Sequence, residues 1–524
     1  MKISGRKMRF PPFFRHFFFR GRGGAEEPGD IPPRSPAGKT RAEKLEGRRN
    51  LSETALFAFN FGAGAKRGVK RVTDARFYAI NQIMEKKGKG AAESGVPSPA
   101  VGAKDKKAER AKKRAEKTFS LPHYMLLMAV CGVLRLRFGA RSELSESFRA
   151  QKKQGAMLVL SNHVSAFDFA WFTTPFLGKK VSFVVAETMK YSQPIFAGLI
   201  DGYRAIVKKQ FYADYTCIKN IKRYLDDGVS VILCPEGKVS ADGRTAPMAF
   251  SVAKLVKWLG YPVASCVIFG AGLTRPKWAH SSRSGGVVCK MDMMMTSDEA
   301  KSLSAGEIME RIDRTLAHNE HAWQEETGRV YRGRKYAEGL SDLLYRCPAC
   351  GEKFRMTSAG NAIMCEKCGF AAAYTRTGKL LPANGSDCPD RIDRWYDLIA
   401  RQVAEEVKRE DFRLSEPVRL TMENDKGNGY KYGTAGTLTL DREKLAFRAA
   451  EVDEQRCEDA PDTLEVPVTA LPSVATLPGV SLDLSDSKHT YRMIFTAHRA
   501  STEFALALEA LEAERQADAH KNGR

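Results

Sequence analysis

The sequence predicts an α/β protein with a mainly parallel sheet flanked by helices, followed by a small four-cysteine ribbon and a β-rich, barrel-like C-terminal domain. Three observations carry this. Between residues 150 and 326, short apolar runs alternate with helical stretches, the pattern of a sheet covered on both faces. Two C-x2-C-G knuckles, at 347–350 and 365–368, are separated by 14 residues. From 417 to 495, strand-length runs and turns follow one another, and an amphipathic helix over 501–515 closes the series.

At 524 residues the chain has room for two to four domains of roughly 100 to 200 residues each. Residues 1–118 hold 29 Lys and Arg against 12 Asp and Glu, a net +17 of the chain's +22. Such an arm is drawn to anionic lipid headgroups or to nucleic acid. Residues 1–50 are rich in Arg, Gly and Pro around a Phe cluster from Phe10 to Phe19, and no packed core is expected there; a disordered tail competes with a segment whose interleaved Arg and Phe lie in a bilayer interface, and a linker and a charged helix over 104–117 follow within 88–117. No secretory signal is expected, since Arg15 and His16 interrupt the aromatic run. Seven of the eleven cysteines are scattered singly, which suits a reducing compartment rather than a disulfide framework.

Residues 119–138 are apolar, but their uninterrupted core over 124–134 is shorter than the roughly 20 residues a spanning helix needs. With Arg135 and Arg137 at its end, the segment is expected to lie in one leaflet, placing the protein on the cytoplasmic face of a membrane. The competing reading is a buried core helix.

Strands are expected at 157–161, 181–186, 204–207, 229–234 and 263–269, and helices at 212–226 and 247–259. The first strand ends at Ser161-Asn162, with His163 just beyond and Asp168 five residues later. At that spacing a carboxylate reaches the imidazole, holds one tautomer and leaves the other nitrogen free to accept a proton. The strand ending at Cys234 runs into Pro235-Glu236-Gly237. Both motifs fall at C-terminal strand ends, where α/β sheets gather ligands.

These segments resemble the glycerolipid acyltransferase family, which includes the 1-acyl-glycerol-3-phosphate acyltransferases. That family is marked by Asn-His-x4-Asp, here Asn162-His163…Asp168, and a later (Phe/Val)-Pro-Glu-Gly block, here Cys234-Pro235-Glu236-Gly237. The resemblance spans about residues 120–326. It implies the family's fold and transfer of an acyl group from acyl-CoA or acyl carrier protein to a lysophospholipid. The acceptor implied first is 1-acyl-glycerol-3-phosphate, giving phosphatidic acid, with glycerol-3-phosphate as the alternative. His163 would be the base and Asp168 its orienting partner, with no metal in the chemistry. Asn162, Glu236, Gly237 and Ser240 would shape the acceptor site, and Arg204, Lys209 and Lys238 would meet its phosphate. Three departures bear on the acceptor: Lys209 stands where the family has Arg, Lys238-Val239-Ser240 replaces Thr-Arg-Ser, and 261–266 lacks a second proline.

Cys347, Cys350, Cys365 and Cys368 suit tetrahedral zinc with a structural role, since four thiolates leave no open position. Nucleic-acid or protein contact by the ribbon is the lesser alternative. An amphipathic helix is expected within 388–412. The strands and helix over 415–515 resemble a pleckstrin-homology-like or GRAM-like domain on architecture alone, which implies a lipid headgroup, a peptide or no ligand. The expected units are thus 1–118, 119–330, 340–380, 388–412 and 415–515. Two other readings compete with an enzyme: a lipid-surface recruitment protein built on the same scaffold, and a nucleic-acid binder using the arm and ribbon. The central domain gives the latter no reason to exist.

Overall fold

In the computed structural model, residues 119–521 are described, apart from 193, 211–213, 386, 472 and 486–488. The basic arm, its Phe cluster and the helix expected over 104–117 lie outside them.

Helix α1 (Leu121–Phe138) leads into β1 (Ala140–Leu144), α2 (Glu146–Gln154), β2 (Leu158–Ser161), α3 (Asp168–Thr173) and β3 (Val181–Ala186). Next come α4 (Thr188–Ser192), α5 (Pro194–Tyr203), β4 (Ile206–Lys208), α6 (Tyr215–Asp226), β5 (Ser230–Leu233), α7 (Ser251–Leu259) and β6 (Val263–Phe269). Then α8 (Ala271–Thr274), β7 (Val287–Met295), α9 (Ser297–Ser302), α10 (Ala305–Leu316) and α11 (Glu320–Thr327) complete this layer. The sheet runs β1-β7-β6-β2-β5-β3-β4. Only the β6–β7 pair is antiparallel, so the sheet is mixed and mainly parallel.

β2 lies at the centre, between β6 and β5. Its run is apolar because both faces are covered. Val159, with Met157 just before the strand, points into a core shared with α1 and α3, where Trp171 and Phe138 sit. Leu158 and Leu160 point the other way, against Ile221 of α6, Val256 of α7 and Ile312 of α10. Complete burial of a side chain of this size contributes roughly 1.5–3 kcal/mol. Local signals fix the helices: Ser304 and Glu307 form a capping box at the start of α10, and Gly139, at φ +62°, ends α1.

Five residues of α1, Tyr124, Met128, Cys131, Leu134 and Phe138, pack on the domain. Leu121, Met125, Leu126, Val130, Val133 and Leu136 remain exposed. The helix is long and apolar enough, by length and composition, to cross a membrane.

After α12 (Leu340–Leu343), the short strands β8 (Met356–Ala359), β9 (Ala362–Cys365), β10 (Ala371–Tyr374) and β11 (Leu380–Pro382) form the ribbon sheet. Helix α13 (Ile392–Val407) follows, then β12 (Leu414–Glu423), β13 (Tyr430–Leu440), β14 (Lys444–Ala449) and β15 (Thr463–Pro467). The chain closes with β16 (Ala475–Leu477), β17 (Ser481–Ser485), β18 (Thr490–Phe495) and α14 (Ser501–Lys521). These seven strands run β15-β14-β13-β12-β18-β17-β16, all antiparallel, as a half-barrel. Ribbon, α13, half-barrel and α14 share one apolar core, and that core also takes in Trp278 and Ala279 from the loop after α8.

Candidate active site

Asn162 leaves the tip of β2 fully buried, and its amide is engaged on both sides: Nδ2 donates to the Ile268 carbonyl at 2.9 Å and Oδ1 accepts from the Ile268 N–H at 2.8 Å. Its side chain therefore pins β2 to β6. His163 follows, and its Nδ1 lies 2.9 Å from Asp168 Oδ2. The same oxygen accepts from the backbone N–H groups of Val164 (2.8 Å) and Ser165 (2.9 Å). Asp168 opens α3 and is fully buried. Burial pushes its carboxyl above the ordinary range, against the His163 and backbone donors. Accepting from Nδ1–H fixes the tautomer that leaves the Nε2 lone pair free. Among the described residues no group is bonded to Nε2, and the side chain is 26% exposed.

The second motif reaches this imidazole through the backbone. Glu236 Oε1 accepts from the His163 N–H at 2.7 Å, and Oε2 accepts from the Ala246 N–H at 2.7 Å. Burial pushes the Glu236 carboxyl up to about 8, with the Ala246 and His163 amides opposing. The Ser240 N–H donates to the His163 carbonyl at 2.8 Å. Both main-chain groups of His163 are thus held by the turn 236–240. Gly237 sits at φ +69°, a backbone region few side chains tolerate, and its carbonyl accepts from Gln210 Nε2 at 2.6 Å.

The cations divide. Lys209 follows β4, which is parallel to β3, β5 and β2, so it lies at the same sheet end as His163. Arg204 precedes β4, at φ +64°, with its carbonyl accepting from Ser182 and Tyr224. It lies at the opposite end, so the structure does not bring it to His163. Lys238 extends away to Ser473 (2.5 Å) and Glu509 of the C-terminal region.

Three nearby groups are given no role by the sequence. Glu320, fully buried, accepts from the Gly270 N–H (2.6 Å) and the Gly272 N–H (2.8 Å), holding the start of α8 beside the Val164 carbonyl. Lys277 Nζ donates to the Val239 carbonyl at 3.0 Å, and burial lowers its ammonium to about 7. The Cys234 thiol is pushed well up by burial and then by Asp168 and Glu236, which makes it a poor nucleophile.

In the ribbon, the four cysteine sulfurs lie within 4.8 Å of one another. Cys347 Sγ is 3.7 Å from Cys368 Sγ, and Cys350 Sγ is 3.8 Å from Cys365 Sγ. Four thiolates at ~2.3 Å from a tetrahedral zinc are ~3.8 Å apart, so the donor set fits that ion. Gly351 (φ +72°) and Gly369 (φ +74°) supply the turn in each knuckle.

Fold and site define the class: an α/β domain with an imidazole–carboxylate pair at the tip of its central strand. Residues 141–269 match the family model described as Acyltransferase; this segment belongs to the acyltransferase family, and the chain carries an acyltransferase domain. Two solved structures show similarity. One is the 1-acyl-sn-glycerophosphate (LPA) acyltransferase PlsC from Thermotoga maritima, at 17% identity over 46% of this chain and 86% of that chain, with a TM-score of 0.31. The other is the Ran binding domain from the nuclear complex component Nup2 from Ashbya gossypii, at 16% identity over 20% of this chain and 93% of that chain, with a TM-score of 0.15. No curated protein matches the chain.

Proposed function

We propose that this chain moves a fatty acyl group from an acyl thioester, acyl-CoA or acyl carrier protein, to the free hydroxyl of a lysophospholipid. The acceptor is 1-acyl-glycerol-3-phosphate and the product phosphatidic acid. One observation carries this reading: within the family-matched segment, His163 is held at Nδ1 by Asp168 with Nε2 open. As the acceptor oxygen attacks the thioester carbonyl, its proton passes to Nε2. The C–S bond then breaks and the imidazolium returns the proton to the departing thiolate, while Asp168 steadies the charged ring. The thioester is already activated, so alignment of the two substrates supplies much of the acceleration. The raised Cys234 thiol supports direct transfer rather than an acyl-cysteine.

Lys209 and Lys238 provide cations for the acceptor phosphate as point charges without a bidentate fork, and Gly237 lets the backbone approach. Asn162, Glu236 and Ser240 act through His163 by holding its strand and main chain. The four cysteines hold a structural zinc ion, which supplies folding energy. The exposed apolar side of α1 rests on the cytoplasmic leaflet, giving access to a bilayer-borne acceptor. The test is thiol release with acyl-CoA or acyl carrier protein against a panel of lysolipids and glycerol-3-phosphate. His163→Ala should lower the rate by on the order of a thousandfold in a folded protein; near-native transfer by that variant rejects the assignment.

A further inference from the structure

Lys238 stands two residues after Glu236 in the turn that holds both main-chain groups of His163. It is the first cation after the Pro-Glu-Gly block, yet its ammonium is engaged by Ser473 Oγ and by the Glu509 carboxylate. Both partners lie outside the family-matched 141–269, so a bare acyltransferase domain cannot make this contact. Glu509 is also rigidly presented. Residues 501–508 of α14 are all buried, and Glu509 is where the helix first becomes partly exposed. Other contacts also hold the region after residue 390 against the first domain: Arg244–Asp397 (2.7 Å) and Asn319–Asp393 (2.8 Å) to α13, and Glu187–Thr490 (3.2 Å) to β18.

We propose that Glu509 and Ser473 are positioning residues that set the affinity for the acceptor by competing with its anionic headgroup for Lys238; this rests on the acyl-transfer reading above. The lysine stem has four rotatable bonds, and its ammonium is a point charge that exchanges one oxygen partner for another without the geometric demands of a guanidinium. When Lys238 turns to a phosphate, the partly exposed Glu509 carboxylate exchanges it for water. The C-terminal region thereby becomes part of acceptor selection, and an acceptor without a phosphate has nothing to offer Lys238 in exchange.

The experiment is acceptor kinetics at saturating acyl-CoA, with lysophosphatidic acid and with monoacylglycerol, for the full chain and for Glu509→Gln, Ser473→Ala, Lys238→Met and the Glu509→Gln/Lys238→Met double variant. Glu509→Gln should lower KM for lysophosphatidic acid roughly two- to fivefold, as expected for release of a partly buried ion pair. kcat and KM for monoacylglycerol should stay within about twofold. Ser473→Ala should act in the same direction, and the double variant should behave as Lys238→Met does. An unchanged KM, an equal shift for monoacylglycerol, or kcat and KM moving together in both C-terminal variants overturns the proposal. If the full chain shows no acyl transfer at all, the functional reading fails separately. Titration calorimetry with inorganic phosphate then decides this one: tighter binding by Glu509→Gln than by the parent upholds it, and equal binding rejects it.

Discussion

His163 is fixed less by its own torsions than by what grips its main chain. Its side chain answers to Asp168, while its N–H and C=O answer to Glu236 and Ser240. Asp168→Asn should therefore leave the backbone geometry nearly intact but present the wrong hydrogen-bonding partner to Nδ1, lowering kcat by on the order of 10³ or more in steady-state assays. Glu236→Gln should act differently. Its amide N–H2 would face one of two backbone donors, at a cost of about 1–3 kcal/mol, so the melting temperature should fall together with kcat. It should also flatten the pH dependence of stability. A carboxyl raised to about 8 from an ordinary 4.5 holds its proton more tightly folded than unfolded. Its stabilising effect is complete below about pH 4.5 and is lost as pH rises through 8. Melting curves from pH 4.5 to 8.5 should show that decline in the parent and less of it in the variant. The Asp168 partnership was legible because spacing alone lets a carboxylate reach its imidazole. The work of Glu236, Asn162 and Glu320 was not, since a sequence does not tell whether a polar side chain faces a ligand or a backbone amide.

Among the elements, α1 has the plainest division of labour: a narrow packed stripe and a broader exposed apolar side. Replacing Met125, Leu126 and Leu136 together by Ser should leave the packed stripe intact while weakening co-sedimentation with phospholipid vesicles roughly tenfold or more. Retained vesicle binding would assign α1 a different role. The strands at 181–186 and 263–269 stand where their apolar runs indicate, and β2, β4 and β5 lie within one or two residues of expectation. β1 and β7 were not anticipated. β1 is a polar edge strand, Ala-Arg-Ser-Glu-Leu, with alternating burial, and β7 is rich in Met with Lys290 and Asp292 among its apolar positions, so neither reads as a buried run. In the C-terminal region β16 is only three residues long, too short to show a period. The ribbon strands were hidden behind their cysteines.

At the scale of the whole molecule, parts that read as separate units along the chain are joined in space. The expected divisions at 340, 388 and 415 follow changes in composition, which report linkers but not what packs across them. Lys353 of the ribbon pairs with Glu406 (2.7 Å) and Glu503 (2.6 Å), tying it to α13 and α14 at once. Removing the zinc ion proposed for the ribbon should therefore do more than melt a small loop. Incubation with a strong chelator should lower the main calorimetric transition by several degrees and reduce acyl transfer with it. A ribbon that melts alone, leaving the rest unaffected, would show that the cysteine site is not coupled to its surroundings.

Trp278 belongs by chain order to the catalytic half but is buried against the other one, beside Tyr336 and Tyr374. Any fragment cut at residue 330 would strip that indole of its neighbours and lay bare a sticky surface. Recombinant expression of 119–330 alone should thus yield aggregates, and swapping this catalytic half onto another tail would fail unless the recipient brought its own cover for the ring.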